Sequence, residues 1–163
     1  MPKNIAIWNK KAEIMNISVR RSLQLYRLKE LVWYVYDNVP FYRKKFEEKG
    51  HHPRDIQSLD DIRLLPMTTK TDLRDNYPYG LFAVPLREVV RIHTSSGTNV
   101  NPRVVGYTRH DLTVWSNLVA RILTAGGVTR DDVVQVTFAY GLLTGGLGLH
   151  AGAERIGASV LPT

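Results

Sequence analysis

The sequence contains no cysteine, which excludes disulfide bonds and thiolate-bound zinc and gives no sign of an oxidising compartment. It also lacks any apolar run that approaches the roughly 18 residues of a membrane-spanning helix. Residues 1–10 do not show the charged-then-apolar pattern of a signal peptide. Together these absences make the cytoplasm the expected location.

The charge of the chain is basic but scattered. Of its 163 residues, 22 are Lys or Arg and 15 are Asp or Glu, which gives a formal net charge of +7. Such a balance suits nucleic acid or a small acidic ligand. The basic residues cluster at Arg20-Arg21 and at 43–45, and the second cluster is followed one residue later by Glu47-Glu48. We therefore interpret the charges as solvated helix faces and expect neither a nucleic acid nor a membrane as partner.

The first half of the chain has helical patterns. Apolar residues recur at spacings of three and four over residues 17–39, and Pro40 ends that pattern. The members of this stripe are Leu25, Leu28, Val32 and Val35, with Leu31 widening it. A second helix is predicted from Phe41 to Lys49, with Gly50 just beyond its end. Ser58 and Thr69 are each followed three residues later by an aspartate, a pattern typical of helix starts. Residues 1–76 therefore predict a small helical subdomain.

The second half alternates strands and helices. Strands are predicted from Val89, at residues 103–107, at 132–138 and at 158–161, with helices between the last three. The first of these helices starts at a Thr108–Asp111 cap, and its expected core residues are Leu112, Trp115, Val119 and Ile122. This order predicts an α/β fold in which residues 77–163 form the first part of a mostly parallel sheet with crossover helices. Because the chain stops in mid-sheet, we expect an amino-terminal portion of something larger, whose uncovered edge invites pairing with another chain.

A hydroxyl-rich turn separates the first two strands. It consists of Ser95, Ser96, Gly97 and Thr98. Hydroxyls and backbone N–H groups in such a turn can wrap phosphate oxygens, and glycine allows close approach. On its own, the same composition is more often that of a plain hairpin loop.

This turn resembles the phosphate-binding loop of the adenylate-forming enzymes, and most closely that of phenylacetate–coenzyme A ligases, where it is Ser-Ser-Gly-Thr-Thr-Gly-Lys-Pro. Val100 and Asn101 stand here in place of the second glycine and the lysine. Further stretches are similar to that family in the same order along the chain. They are residues 28–32, 38–45, 65–70, 73–78 and 140–148.

The resemblance implies a two-step reaction. An aryl acetate attacks the α-phosphate of ATP with Mg²⁺ present and expels pyrophosphate, and the acyl group then passes to the thiol of coenzyme A. By the resemblance, Ser95, Ser96, Gly97 and Thr98 contact phosphate. The residues that match the aryl pocket are Tyr140, Gly141, Gly145 and Gly146. The family's metal-binding acid and catalytic lysine would lie beyond Thr163, so no catalytic or metal-binding residue is assigned.

The departures in the loop predict a weakened or lost ATP site. A charge-assisted hydrogen bond contributes about 1.5–3 kcal/mol, which Asn101 cannot supply as lysine does. A β-branched residue such as Val100 is costly where the backbone needs a positive φ. We therefore expect the chain to be inactive alone. The alternative is a non-catalytic relative that forms a homodimer or binds a partner chain across its open sheet edge.

Several other features have structural explanations that we prefer. His93 on a strand and His150 on the glycine-rich helix are expected to pack, and His51-His52 have no spaced ligand partner for a metal. Tyr140 is either a pocket wall or a lid on the core. The glycines of residues 141–148 do not keep the register of a dinucleotide-binding motif, so we attribute them to close packing of helix against sheet.

Overall fold

We describe the fold from a computed structural model, which describes residues 6–94, 103–141 and 144–163. The chain divides into two compact units. Among the described residues, one unit contains 15–86 with 103–104, and the other contains 6–14, 87–94 and the residues from 105 onward. No helix in these ranges is both long enough and apolar enough to cross a bilayer.

The helices and strands agree closely with the sequence patterns. The α-helices are α1 (Lys10–Glu13), α2 (Ile17–Asn38), α3 (Pro40–Glu48), α4 (Lys70–Asp75), α5 (Arg109–Ala125) and α6 (Thr144–Ile156). The strands are β1 (Arg91–Thr94), β2 (Val104–Tyr107), β3 (Val133–Val136) and β4 (Ser159–Pro162). Short 3₁₀ helices cover Pro53–Asp55, Leu59–Leu64 and Leu86–Glu88.

The helical unit is built around one small core. Val32 of α2, Phe46 of α3 and Ile56 are buried against one another, which confirms the central position predicted for Val32. Leu31 was predicted to widen the same stripe, and that prediction is wrong, since its side chain is 57% exposed. Adjacent helix positions are about 100° apart around the axis, so α2 can bury Val32 without burying its neighbour.

Glycine ends α3 as predicted. Gly50 has a φ of 68°. This left-handed conformation is energetically unfavourable for any residue that has a Cβ atom. The N–H of His51 donates to the carbonyl of Phe46 at 3.0 Å, and the N–H of Gly50 donates to that of Glu47 at 3.0 Å. These bonds satisfy carbonyls that the end of the helix leaves unpaired.

All three predicted hydroxyl–acid caps are confirmed. Thr69 and Thr108 each accept a bond from the N–H of the aspartate three residues on, and that aspartate accepts from the threonine N–H in return. Ser58 donates through its N–H to Asp61 at 2.7 Å, although the helix that follows it is 3₁₀ rather than α. Local hydrogen bonding therefore fixes these starts, independently of distant packing.

An ion pair ties α3 to α4. Lys45 Nζ lies 2.8 Å from Asp72 Oδ2, and the two side chains are only 25% and 18% exposed. The same carboxylate accepts from the N–H and hydroxyl of Thr69. The lysine and these hydrogen bonds lower the pKa of Asp72 to about 2.

Acid is expected to weaken this attachment. Because the folded pKa lies below the unfolded value near 3.9, the stabilisation is complete above about pH 4 and is lost as the pH falls toward 2. Urea titrations between pH 5 and 2 should therefore show a flatter pH dependence for Asp72→Asn than for the wild type. Asp75→Asn is the matched control, since Asp75 is exposed and pairs with the adjacent, exposed Arg74. Parallel profiles for Asp72→Asn and the wild type would contradict the assignment.

The other unit contains a parallel strand–helix–strand crossover. β3 and β4 pair in parallel with Val133 opposite Ser159 and Val136 opposite Pro162, and α6 connects them. Gly157 ends α6 with a φ of 91°. β1 pairs with β2, so the described strands form two separate pairs. This is an incomplete α/β fold, as the sequence predicted.

Helices α5 and α6 approach each other closely because glycines face α5. A Cβ atom on Gly148 would lie 2.5 Å from Trp115, and one on Gly152 would lie 2.3 Å from Val119. The predicted packing of this glycine-rich segment against the sheet is thus wrong for Gly148, whose neighbour is a helix. Ile122, predicted to lie in the core, is 68% exposed, because α5 turns Val119 and Ala120 inward instead.

Candidate functional site

The predicted phosphate loop follows β1 directly. Ser95, Ser96, Gly97 and Thr98 lie outside the described residues, as do Val100 and Asn101, so their role stays a prediction. The strands beside the loop are described: Val90 N–H donates to the carbonyl of Tyr107 at 2.9 Å.

His93 is a residue of β1 whose side chain is enclosed by aromatic neighbours. Its side chain is buried, and its ring meets Tyr107 edge-on at 5.5 Å and Trp115 edge-on at 5.7 Å. This agrees with the structural role that we preferred from the sequence. The base of the predicted loop is therefore fixed by aromatic packing against α5.

The other predicted site residues lie where β3 passes into α6. Tyr140 follows the last residue of β3 by four positions and is partly buried, whereas Gly141 and Gly145 are exposed. A Cβ atom on Gly146 would come within 2.9 Å of the carbonyl oxygens of Phe138 and Ala139. Only glycine allows the start of α6 to pass so close to this backbone.

Three side chains, Tyr140, His150 and Glu154, lie next to one another at this point. Tyr140 Oη lies 3.1 Å from His150 Nδ1, and His150 Nε2 lies 3.2 Å from Glu154 Oε1. The tyrosine and histidine rings meet edge-on with centroids 5.7 Å apart. His150 and Glu154 face the same way because they are one helical turn apart on α6.

The sequence located Tyr140 but missed its connection to His150 and Glu154. His150 was expected only to pack on the helix. The spacing of a histidine and a glutamate at i and i+4 was the available signal, but such pairs are common on solvated helix faces. Nothing in the sequence shows that a tyrosine ten residues earlier folds back onto the same histidine.

An open cavity of about 340 Å³ lies beside this chain of side chains, among β1, α5 and α6. Its lining residues are Arg91, Leu112, Thr113, Trp115, Ser116, Ala151, Glu154 and Arg155. Arg155 Nε donates to Asn117 Oδ1 at 2.8 Å. Glu154 lines the cavity and also lies beside His150. The lining of the cavity thus combines apolar side chains with charged side chains of both signs.

Two aspartates at structural turns have lowered pKa values. Hydrogen bonds from the backbone and hydroxyl of Thr129 lower the pKa of Asp132 below its usual range. The hydroxyl of Ser58, with the N–H groups of Gln57 and Ser58, lowers that of Asp61. These carboxylates are caps, and their perturbation carries no catalytic signal.

No protein-family model matches the chain, but its sequence is similar to those of several known enzymes. Phenylacetate–coenzyme A ligases from Pseudomonas putida and Escherichia coli are each 53% identical over 150 residues, which is 92% of this chain and 34% of theirs. The enzyme of the same name from Thermus thermophilus is 54% identical over 142 residues, or 87% of this chain and 32% of its own.

Solved structures agree with the sequence relatives. A 2-hydroxyisobutyryl-CoA ligase bound to 2-HIB-AMP and CoA matches 99% of this chain with a TM-score of 0.91 and 34% identity, and the match covers 35% of that ligase. The same ligase in the postadenylation state with 2-HIB-AMP gives a TM-score of 0.89. The chain thus spans about a third of the length of these relatives. By sequence it belongs with the phenylacetate–coenzyme A ligases and corresponds to an amino-terminal portion of them, and its fold is that of the corresponding part of a CoA ligase.

Proposed function

We propose that this chain supplies the amino-terminal, aryl-acid-binding part of a cytoplasmic ligase that converts phenylacetate, ATP and coenzyme A to phenylacetyl-CoA, AMP and pyrophosphate. The observation that most directly supports this proposal is the position of Tyr140. It follows β3 of a parallel pair, and open α/β sheets bind ligands beyond the carboxyl ends of their strands. The sequence match to the curated ligases includes 87–92% of the chain, which supports the same assignment.

In this proposal the residues of the chain act by positioning. Tyr140 forms a wall of the aryl pocket. Gly141, Gly145 and Gly146 have no side chains, so the ligand can approach the backbone next to Tyr140. Ser95, Ser96, Gly97 and Thr98 contact phosphate oxygens of ATP, but weakly, because Val100 and Asn101 replace the family's glycine and lysine. A fixed carboxylate beside the α-phosphate lowers the entropic cost of the attack. The described residues contain no group of three or more His, Asp or Glu side chains placed to bind a metal, so the family's Mg²⁺ is assigned to no residue here.

The test separates binding from turnover. We expect the purified chain to bind phenylacetate measurably in calorimetry and to form no phenylacetyl-CoA when ATP, Mg²⁺ and coenzyme A are added. Tyr140→Ala should weaken phenylacetate binding several-fold, since the ring supplies contact area. Tyr26→Ala is the matched control, because Tyr26 is an exposed tyrosine on α2. Turnover near that of a full-length ligase would contradict the expectation that the chain is inactive alone. Equal phenylacetate affinities for the two variants would contradict the assignment of Tyr140 to the aryl site.

A second candidate function is a non-catalytic module that pairs with another chain. Among the described residues β3 and β4 pair only with each other. Their exposed apolar side chains include Val133, at 70% exposure, and Leu161. Exposed strands of this kind are templates for pairing with a second chain, in the simplest case another copy of this one.

This candidate predicts a concentration-dependent dimer in sedimentation velocity. Val133→Lys and Leu161→Lys should shift the chain toward monomer, because charged side chains on edge strands oppose pairing. Val19→Lys is the control, since Val19 is equally apolar and exposed but lies on α2. A monomeric wild type at all concentrations would remove the pairing role.

A further inference from the structure

The Glu154 carboxylate gives the Tyr140–His150 hydrogen bond a preferred direction. His150 Nε2 lies 3.2 Å from Glu154 Oε1, and the negative charge of the carboxylate favours the imidazole tautomer that carries its hydrogen on Nε2. A neutral imidazole carries just one hydrogen, so the Nδ1 that faces Tyr140 at 3.1 Å is an acceptor. The hydroxyl hydrogen of Tyr140 therefore points to His150, as in other cases where the second partner of a histidine sets its tautomer.

This direction determines what Tyr140 can offer to a ligand. Once its only hydrogen is donated to His150, the phenolic oxygen keeps acceptor capacity and has no donor left. Tyr140 is partly buried beyond the carboxyl end of β3. This residue therefore lies at the end of the sheet where the proposed function places the aryl acid.

We propose that His150, oriented by Glu154, is a positioning residue that fixes Tyr140 as a hydrogen-bond acceptor and so tunes the aryl site toward ring-hydroxylated aryl acetates. This inference rests on the proposed function. A hydroxyl on the ring can donate to the Tyr140 oxygen, whereas an unsubstituted ring or a ring ether cannot. Sites that hydrogen-bond a substrate hydroxyl discriminate against analogues that lack it.

The first test compares affinities by calorimetry at pH 8. The probes are phenylacetate, its 2-, 3- and 4-hydroxy derivatives, and 4-methoxyphenylacetate. One hydrogen bond predicts that at least one hydroxy isomer binds the wild type roughly three- to tenfold more tightly than phenylacetate, with no such gain for the methoxy compound. No preference for any hydroxy isomer over phenylacetate would overturn the proposal.

Variants distinguish positioning from simple packing. Tyr140→Phe and His150→Leu should bring the ratio of hydroxy to parent affinity toward one, whereas His150→Asn should retain part of it, since the asparagine carbonyl can still accept from Tyr140. A purely structural role for His150 would weaken all probes equally and leave the ratio unchanged, which would overturn the positioning role. His110→Leu on α5, an exposed histidine, is the matched control.

A second measurement does not depend on any ligand. Long-range ¹H–¹⁵N spectra of the wild-type chain at pH 8, where free imidazole is neutral, should show His150 with Nδ1 unprotonated and Nε2 protonated. Tyr140→Phe should move the Nδ1 signal and Glu154→Gln should lower the preference for this tautomer. A protonated Nδ1 would overturn the proposal even if aryl acids bind. The predicted tautomer without binding of any aryl acid would instead refute the aryl site of the proposed function and, with it, the substrate preference.

Discussion

Gly152→Ala is expected to lower the free energy of unfolding by about 1–3 kcal/mol, the usual cost of forcing an extra methyl group into a packed core. Gly152 is a buried residue of α6 on the face that packs against α5. Its added Cβ would lie 2.3 Å from Val119 Cγ1 and 3.1 Å from the backbone nitrogen of Ala120. Backbone is one of the obstacles, so a change of side-chain rotamer cannot remove the whole clash. Removing a glycine from a helix gains about 1 kcal/mol at most, and the clash outweighs it.

Gly145→Ala provides the comparison within the same helix. A Cβ atom there would lie 3.5 Å from Phe138 Cδ1, an ordinary contact. This variant should be unchanged or up to about 1 kcal/mol more stable, because alanine favours the helix. Urea denaturation monitored by circular dichroism measures both variants. Equal stability of Gly152→Ala and Gly145→Ala would show that α5 and α6 can separate at little cost and would contradict the packing described here.

The sequence was sufficient for features that short-range hydrogen bonds determine. The caps at Thr69 and Thr108 form as predicted because the donor and acceptor are three residues apart and close whatever the tertiary context. Gly50 ends α3 for a similarly local reason. The crossover from β3 through α6 to β4 was predictable because the periodicity changes from strand to helix and back.

Side-chain environments were less predictable, because α5 is apolar on more than one face. Val114, Leu118 and Ile122 are spaced by four and are all exposed, whereas Val119 and Ala120 face α6. Periodicity alone could not choose between these two stripes, since the choice depends on which face meets the glycines of α6. The bond from Tyr140 to His150 escaped prediction for the same reason: it depends on how the start of α6 passes residues 138–139.

The match to the ligase family can be tested at Val100 and Asn101, where the loop lacks the family's glycine and lysine. Val100→Gly combined with Asn101→Lys is expected to tighten ATP binding about 10- to 100-fold. The lysine would add a charge-assisted bond to phosphate of about 1.5–3 kcal/mol, and tenfold in affinity corresponds to about 1.4 kcal/mol. Glycine at position 100 would also let the backbone adopt a positive φ, if the loop requires one, without a β-branched penalty. Both positions lie outside the described residues, so this expectation rests on the sequence match alone.

Asn99→Lys is the matched control for this experiment. It adds the same charge two positions earlier, where the family has a threonine rather than a lysine. Equilibrium dialysis with ATP at fixed salt should show a large gain for the double variant and a small one for Asn99→Lys, because by the family match only position 101 carries a lysine that can bond phosphate directly. Equal gains would mean that the loop responds only to net charge. A large gain for the double variant without a matching gain for Asn99→Lys would support descent of this turn from a nucleotide-binding loop that has lost its cation.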